Sequence, residues 1–492
     1  MKEFSLQLAN TNRCCYLNFA ESIKNAIRIG VLKAGEKLPA SRTFSKMLGI
    51  HKNTILAGFE ELQVEGWIHS KQRKGYWVSE TLPNCFFKSK KLKDEIKFSQ
   101  NNYSELNWDL NKVPSVNLNL VTKNKIRYHF KGAGPDIREF PLDDFRSYLN
   151  ESIKRAGTKL FSYDSPRGYD PFLDQVSIYL RRVRGFIPQE LVVTHGAQEA
   201  LFIIAQILIK TGDYVAVEEL GYQSAFAVFK NFGANLIPIQ LDENGIIPEH
   251  LEEQVKKQKI KLLYLTPLHQ YPTTVTLTIE RRLKIYEIAV KNNIKIIEDD
   301  YDHEFHYKTQ PLPPMAANDP AGIILYVTTF SKIFSPSARI GILAIPSFLL
   351  AHVLKVKKII SYQNDLLLQD ALWRWMRAGG FEKHLRRMRK IYQERRDVLN
   401  SSLLLLQKQL SSLSWRNPNG GMAIWVDLGF SSFEFSKKAL RKGVLIGHES
   451  EYTSRESNNK NNSSNGNHIR LFFANLKSAE IKEGMQILGE LF

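Results

Sequence analysis

The sequence of 492 residues predicts a multidomain protein: a small unit of helices and a β-hairpin, then a large α/β domain with a mostly parallel sheet and a small C-terminal α+β part. Within residues 16–80, apolar residues recur at helical spacing and then alternate in two short strands. From residue 126, apolar strand-like runs alternate with amphipathic stretches, as in doubly wound sheets. Between them, residues 81–125 are rich in lysine and asparagine without periodicity, which predicts a linker.

The N-terminal unit, residues 1–80, has the element order of a winged helix–turn–helix, with three helices followed by a hairpin that has a basic turn. The start of the third helix is placed to reach DNA with its side chains and its amides, and the hairpin is placed to touch the backbone or the minor groove. An ordinary solvated turn would also be basic, but the preceding helices favour DNA contact. The predicted DNA-binding residues are Arg42, Lys52, Asn53, Thr54, Lys71, Arg73 and Lys74.

Composition narrows the class of protein. The net charge of +18 indicates a polyanionic partner, although a diffuse excess of lysine would give the same value. The three cysteines have neither disulfide nor metal spacing, which fits a reducing cytosol. No apolar run approaches the roughly 18 residues of a membrane span, and the N-terminus lacks the apolar region of a secretory signal. We therefore predict a soluble, cytoplasmic protein without a membrane partner.

Lys332 follows the apolar run 323–327, which is predicted to be a buried strand. Open α/β sheets bind ligands at the carboxyl ends of their strands. Hydroxyls at Thr329 and Ser331 and a cation at Arg339 could hold a phosphate there. A lysine amine beside a phosphate site is what a Schiff base with pyridoxal phosphate requires. Most lysines near strand ends are merely solvated, so other residues of the chain must decide whether Lys332 is a cofactor lysine.

Further candidates follow other predicted strands. Asp299 could keep a pyridine nitrogen protonated, although strand-end acids more often cap turns, and Tyr301 could meet a ring oxygen or simply pack. The amides of Gly196 and Ala197 open a helix and could receive a phosphate, but β–α connections commonly contain glycine. Tyr222 offers a ring for stacking. Arg470, on an apolar strand, needs an anionic partner: a substrate carboxylate or an internal acid.

Together these stretches resemble a fold-type I, aspartate-aminotransferase-like domain over residues 126–492, with its small-domain portion starting near residue 345. The matching stretches are residues 163–169, 195–201, 266–272, 298–302, 329–332 and 381–389. The chain departs from this pattern in three places: His195 stands at a small polar position, Leu220 at a common proline, and Thr274 at a glycine. These departures concern the shape of the phosphate and ring-edge contacts.

The resemblance implies a role for each candidate. Lys332 would form the Schiff base, Asp299 would pair with the pyridine nitrogen, Tyr301 would meet the ring oxygen and Tyr222 would stack on the ring. Arg470 would bind the α-carboxylate of a substrate, and a tyrosine at the position of Tyr163 would reach the phosphate of the neighbouring subunit in a homodimer. The residues implied to bind the phosphate are Gly196, Ala197, Thr329, Ser331 and Arg339.

Residues 16–80 resemble the GntR-type winged helix. The resemblance is carried by residues 38–42, 48–54 and 65–68 and by Gly75. His51 replaces the usual serine or threonine at the N-cap of the third helix, which would weaken the cap or alter base preference. A GntR-type reader joined to an aminotransferase-like domain resembles the MocR family of pyridoxal phosphate-dependent transcriptional regulators.

The MocR resemblance implies a homodimer that binds two half-sites of double-stranded DNA and responds to a small amino compound, or to pyridoxal phosphate itself, through Lys332. On this hypothesis the chain performs no physiological turnover. A rival hypothesis is an active aminotransferase whose winged helix only tethers or autoregulates it. A third is direct sensing of pyridoxal phosphate. The site residues do not separate these hypotheses, because a sensor needs the same exchange at the lysine.

Overall fold

The computed structural model of the chain describes residues 15–71, 74–82, 114, 126–132, 134–155, 157–307, 310–455 and 466–492. The chain divides into two compact units, Met1–Asn111 and Lys112–Phe492. The predicted linker lies almost wholly outside the described residues, and so does Arg73. Within the part that the structure describes, no helix combines the length and the apolar character needed to cross a membrane.

The N-terminal unit is a winged helix, and we call it the reader. Its three helices pack around Phe19, Phe44 and Phe59, whose rings meet edge to face with centroids 5.3, 5.6 and 5.9 Å apart. Gly58 lets the first and third helices approach, since a Cβ there would lie 2.5 Å from the Phe19 ring. The elements are α1 (Cys15–Arg28), α2 (Ser41–Leu48), α3 (Lys52–Val64), β1 (Ile68–Lys71) and β2 (Gly75–Val78).

The second unit, the effector domain, contains a seven-stranded sheet with strand order β4-β12-β11-β10-β9-β5-β6. The sheet is mostly parallel, as predicted, and β12 runs antiparallel to both of its neighbours. This strand is not among the predicted ones. The strands are β3 (Tyr128–His129), β4 (Glu190–Thr194), β5 (Tyr214–Glu218), β6 (Asn235–Ile239), β7 (Leu241–Asp242), β8 (Gly245–Ile246), β9 (Ile260–Leu265), β10 (Lys295–Asp300), β11 (Ile324–Thr329) and β12 (Gly341–Ile345).

Helices cover both faces of this sheet, because its strands are apolar on both sides. Adjacent residues face opposite layers: Val192 packs with one group of helices and Val193 with the other. The helices are α4 (Leu142–Arg155), α5 (Asp170–Arg184), α6 (Ala197–Leu208), α7 (Gln223–Asn231), α8 (Pro248–Lys257), α9 (Ile279–Lys291), α10 (Leu350–Ile360), α11 (Leu366–Arg377) and α12 (Gly380–Gln407).

The C-terminal part is an α+β layer around a four-stranded sheet with order β13-β14-β17-β16. Residues from the start of the domain belong to it as well, since β3 pairs in parallel with β15 and Phe130 is buried in the same core. Its elements are β13 (Ser414–Trp415), β14 (Ala423–Asp427), α13 (Ser432–Arg441), β15 (Val444–Leu445), β16 (Gly447–His448), β17 (His468–Phe472) and α14 (Ser478–Gly489).

Candidate functional site

A cavity of about 280 Å³ lies at the carboxyl ends of the central strands. Because parallel strands end at the same edge of a sheet, residues distant in sequence meet there. The predicted residues that line the cavity are Ala197, Tyr222, Asp299, Tyr301, Thr329, Ser331, Lys332, Arg339 and Arg470. Apart from Gly196, ten cofactor and substrate residues were predicted, and the structure brings nine of them together at this cavity. The tenth, Tyr163, does not line it. Gly196 directly precedes Ala197 in the chain.

Asp299 is the next-to-last residue of β10 and is buried at the cavity. Its Oδ2 accepts a hydrogen bond from the hydroxyl of Tyr264 at 2.8 Å, whereas its buried Oδ1 has no partner among the described residues. Burial raises the pKa of this carboxyl to about 7, and the hydrogen bond from Tyr264 opposes the shift. A buried acceptor of this kind fits a protonated pyridine nitrogen, whose N–H would supply the missing donor and favour the carboxylate.

Lys332 lies just beyond β11 and lines the same cavity. Burial lowers the pKa of its ammonium to about 8, and the nearby positive charge of Arg470 acts in the same direction. A larger fraction of this amine is therefore neutral near pH 7 than in an exposed lysine. Only the neutral amine is a nucleophile, so the environment suits attack on an aldehyde.

One end of the cavity has the donors for a phosphate. Thr329 Oγ1 donates to Ser331 Oγ at 3.0 Å, and Arg339 donates to the carbonyl of His195 at 2.8 Å. Gly196 caps α6 with φ +76°, and a Cβ on it would lie 2.9 Å from an Arg339 nitrogen. Glycine is therefore required for the guanidinium to approach. Free amides and the dipole at the start of α6 add to the attraction for an anion.

The other end carries Arg470, which is 3% exposed. Its guanidinium carbon lies 4.8 Å from the ring centroid of Tyr271 and 5.4 Å from that of Phe472, and one nitrogen donates to Gly132 O at 3.3 Å. Among the described residues, no carboxylate lies within 4.0 Å of it, and its buried Nε has no partner. The internal acid that would have explained this arginine is thus not found there. A ligand carboxylate fits the position.

The remaining predicted residues differ in their surroundings. The hydroxyl of Tyr301 donates to His269 O at 3.0 Å, so it has a protein partner at the cavity wall. Tyr222 is half-buried, burial raises the pKa of its hydroxyl, and its ring stands perpendicular to that of Tyr271 at 6.0 Å. Tyr163 does not line the cavity: it is 82% exposed, and its ring lies edge-on to Tyr362 at 5.0 Å. Its predicted role depends on a second subunit.

Two tyrosines of the cavity wall are not among the predicted residues. Tyr264 holds Asp299, and Tyr271 lies against Arg470. Tyr264 is the next-to-last residue of β9, which pairs with β10, so a tyrosine near the end of a neighbouring strand was the available signal. The departure at Thr274 also has a structural counterpart, since its φ is +62°, a region that favours glycine. The loop is therefore strained by comparison with a chain that carries glycine there.

Of the predicted DNA-binding residues that the structure describes, Thr54 is half-buried and the others are exposed: Arg42, Lys52, Asn53, Lys71 and Lys74. Lys52 is the first residue of α3, and the His51 ring accepts from Asn53 N at 3.3 Å as the N-cap. Among the described residues, Arg42, Lys52, Lys71 and Lys74 have no carboxylate within 4.0 Å. Arg28, by contrast, pairs with Glu21 at 2.7 Å. Unneutralised cations at the start of a recognition helix and on a wing suit a polyanion.

Comparisons with known proteins agree with both units. Residues 136–488 match the family model "Aminotransferase class I and II", and residues 15–78 match "Bacterial regulatory proteins, gntR family". The chain is 29% identical to the probable rhizopine catabolism regulatory protein MocR of Rhizobium meliloti, over 77% of this chain and 75% of that protein. It is 27% identical to the uncharacterized HTH-type transcriptional regulator YdeL of Bacillus subtilis, over 96% of both chains.

Among solved structures, the effector domain is similar to Pyrococcus horikoshii kynurenine aminotransferase, with a TM-score of 0.68 and 29% identity over 75% of this chain and 90% of that one. The predictions of the fold and of pyridoxal 5'-phosphate as the cofactor are thereby confirmed. With its reader at one end and its aminotransferase-like domain at the other, the chain belongs to the aminotransferase class I and II family and is a pyridoxal phosphate-dependent transcription regulator of the MocR type.

Proposed function

We propose that the effector domain senses an amino compound through Lys332 and that this changes how the reader binds its promoter. The observation that carries the proposal is one cavity that holds three particular side chains: a lysine with a lowered pKa, an aspartate and an arginine. Among the described residues, a buried oxygen of this aspartate has no hydrogen-bond partner and no acid pairs with this arginine. The same chain carries a DNA reader. A site able to exchange amines is thus joined to a unit whose output is DNA affinity.

Different residues of the cavity would hold different parts of the cofactor and its ligand. Pyridoxal phosphate, when bound, supplies an aldehyde that condenses with amines and a ring that withdraws electrons. Asp299 would hold the proton on the ring nitrogen through its open Oδ1. Arg339 and the amides at the start of α6 would hold the phosphate. Arg470 would bind the ligand carboxylate and so direct the ligand amine toward Lys332. The amine of Lys332 would give or take a proton when it is released from the cofactor.

The carboxylate-binding arginine supports a particular class of effector. Arg470 is held between Tyr271 and Phe472 and has no acid partner among the described residues, so its charge is available to a ligand. The effector is then an amino acid or a relative with a carboxylate near its amine. To switch the regulator, it must bind the two states of the protein with different affinity, typically by ~1–3 kcal/mol.

A homodimer is part of the proposal. Large apolar side chains are exposed at Phe161, Tyr163, Ile359 and Tyr362. Tyr163 and Tyr362 are in ring contact, so these residues belong to one surface. A second copy covering this surface would remove the rings from water. It would also bring Tyr163 toward the phosphate of the neighbouring subunit, and two readers would then face two half-sites.

Active transamination is the second candidate function, favoured by the completeness of the site. The chain is 28% identical to the aromatic-amino-acid aminotransferase 1 of Thermococcus litoralis, over 73% of this chain. An aminotransferase would need Lys332, Asp299 and Arg470 just as a sensor does. Direct sensing of pyridoxal phosphate is a third mode. The three candidate functions differ in whether the DNA affinity of the chain changes and in which molecule causes the change.

The deciding experiment measures DNA affinity and turnover on the same protein. Fluorescence anisotropy with a duplex from the chain's own upstream region would be recorded for apo-protein, for cofactor-loaded protein, and with single amino acids added. We expect an amino acid to change the affinity about 5–150-fold, and Lys332→Ala to abolish the response. Lys291→Ala, on the exterior of α9, is the matched control. Robust turnover without any amino-acid effect on DNA binding would overturn the sensor, and a response to cofactor alone would assign direct sensing.

A further inference from the structure

The wing of the reader includes an extended segment that the hairpin pattern does not reveal. Residues 35–38, which precede α2, pair with β2: Leu38 N donates to Tyr76 O and Val78 N donates to Glu36 O, both at 2.9 Å. Lys37 stands opposite Trp77 in this antiparallel pairing. This segment therefore extends the two-stranded hairpin by an isolated bridge, and Lys37 lies beside β2 although it is far from the hairpin in sequence.

The two faces of the wing differ in character. Leu38, Ile68 and Val78 are buried in the core of the reader, and Tyr76 packs on Phe59 with ring centroids 4.4 Å apart. Since side chains alternate along a strand, the residues between them point away from the core. The register pairs His69 with Trp77 and Lys71 with Gly75. This outer wing face therefore carries Lys37, His69, Lys71 and Trp77.

The indole of Trp77 organises the outer wing face. The ammonium nitrogens of Lys37 and Lys71 each lie 5.2 Å from its ring centroid, and the His69 ring stacks on it at 6.3 Å. The stem of Lys37 passes close to Gly75, where a Cβ would lie 3.6 Å from its Cε. Two cations are thus held on one aromatic platform, which lowers the conformational entropy that they lose when they bind a ligand.

Neither lysine is neutralised within the protein as described. No carboxylate of the described residues lies within 4.0 Å of Lys37 or Lys71. Elsewhere on the reader, by contrast, Lys24 contacts Glu65 and Arg28 contacts Glu21. The outer wing face thus carries two exposed lysines on a half-buried indole, and no described carboxylate neutralises their charge.

We infer that the outer wing face is a second DNA-contact surface, in which Lys37 and Lys71 bind backbone phosphates and Trp77 holds them in place. The inference rests on DNA binding by the reader and adds a contact, Lys37, that lies outside the predicted recognition helix and hairpin turn. Phosphate contacts do not read sequence. The surface should therefore contribute to affinity for every duplex and to its dependence on salt.

The test uses the full chain loaded with pyridoxal phosphate. Dissociation constants would be measured between about 50 and 200 mM salt, on a duplex from the chain's own upstream region and on a scrambled duplex. Lys37→Ala should weaken binding to both duplexes by a similar factor and reduce the slope of log affinity against log salt by ~0.9. Lys37→Arg should keep the slope. Lys33→Ala, an exposed lysine four residues earlier, removes the same charge and should change neither quantity.

Trp77→Leu tests the platform without changing charge. It should weaken binding to both duplexes, whereas Trp77→Phe should retain most of the affinity; circular dichroism and cofactor loading would verify that each variant is folded. The inference is overturned if Lys37→Ala keeps the wild-type slope, or if Trp77→Leu binds as tightly as wild type. If either of these results is found while Lys52→Ala loses binding, the outer wing face does not contact DNA, but DNA binding by the reader still stands. A wild-type chain that binds neither duplex would overturn DNA binding itself.

Discussion

The effector cavity and the reader surface use the same kind of side chain in two different surroundings. Lys332 is buried beside Arg470, and its pKa is lowered to about 8. Lys52 is exposed at the start of α3, in water and without a carboxylate within 4.0 Å among the described residues. Burial disfavours the charged form of an amine, whereas exposure leaves the charge fully available to a polyanion.

This difference shows how one residue type supports two functions. On the proposed function, the useful form in the cavity is the neutral amine, which would form covalent bonds and which depends on the groups packed around it. On the reader the useful property is the positive charge, which acts through long-range attraction and is weakened by salt. Changes in the cavity should therefore have large, specific effects, and changes on the reader should have smaller, graded ones.

The largest expected effect is at Lys332. Lys332→Ala removes the amine and should abolish covalent attachment of pyridoxal phosphate, because no other lysine lines the described cavity. Borohydride reduction followed by mass spectrometry of the intact protein would measure the attachment. Lys357→Ala is a demanding control, since Lys357 is also buried but contacts Glu199 and Asn364 instead. Full labelling of Lys332→Ala at another lysine would contradict the assignment.

The next prediction concerns pH. Because only the neutral amine reacts, the rate of cofactor attachment to apo-protein should rise about tenfold per pH unit below pH 8 and level off above it. An exposed lysine, with its ordinary pKa of 10.5, would continue to rise well beyond that point. Arg470→Leu removes a neighbouring positive charge, so the pKa of Lys332 should increase and the plateau should move to higher pH. Stopped-flow absorbance across pH would measure both profiles, and identical profiles would contradict the coupling.

On the reader, Lys52→Ala should weaken promoter binding on the order of tenfold and lower the salt slope by ~0.9 if the lysine contacts a phosphate. Arg28→Ala removes an equal charge, but one already paired with Glu21 at 2.7 Å, and should leave the slope unchanged. Anisotropy titrations at several salt concentrations would compare the two variants. Equal salt slopes for Lys52→Ala and Arg28→Ala would contradict the expectation that only an unpaired cation contributes to the slope. Unchanged binding in Lys52→Ala would argue against α3 as the recognition helix.

The smallest effect is expected at the cap of α3. The His51 ring accepts from Asn53 N at 3.3 Å, a long hydrogen bond. A serine hydroxyl caps better, so His51→Ser should stabilise α3 by about 0.5–1 kcal/mol. Hydrogen exchange of the α3 amides in the full chain would measure the gain, with His51→Ala as the variant that lacks a cap. Cofactor attachment should not change, and slower exchange in His51→Ala than in His51→Ser would contradict the capping role.

Local patterns were sufficient for much of this protein. The predicted order of three helices and a hairpin in the N-terminal unit is the order observed, because apolar spacing and the glycine that ends a helix are local signals. Lys332 and Asp299 were predicted as site residues because each lies at the end of an apolar run. The structure places both at the cavity, because parallel strands have their carboxyl ends at one edge of a sheet. The missed strand β12 is apolar like its neighbours. Its antiparallel direction depends on the strands between which it lies, and hydrophobic periodicity carries no information about those neighbours.

The sequence by itself therefore determined the two units and the order of their elements, and it predicted the residues of the candidate site. Only the tertiary structure placed Tyr264 against Asp299, Tyr271 against Arg470 and Lys37 against Trp77. Each of these pairs joins elements far apart along the chain, so its formation depends on strand order, register and close packing. Hydrophobic periodicity is set over a few residues, whereas the environment that lowers a pKa or holds a cation on a ring is assembled from several distant segments.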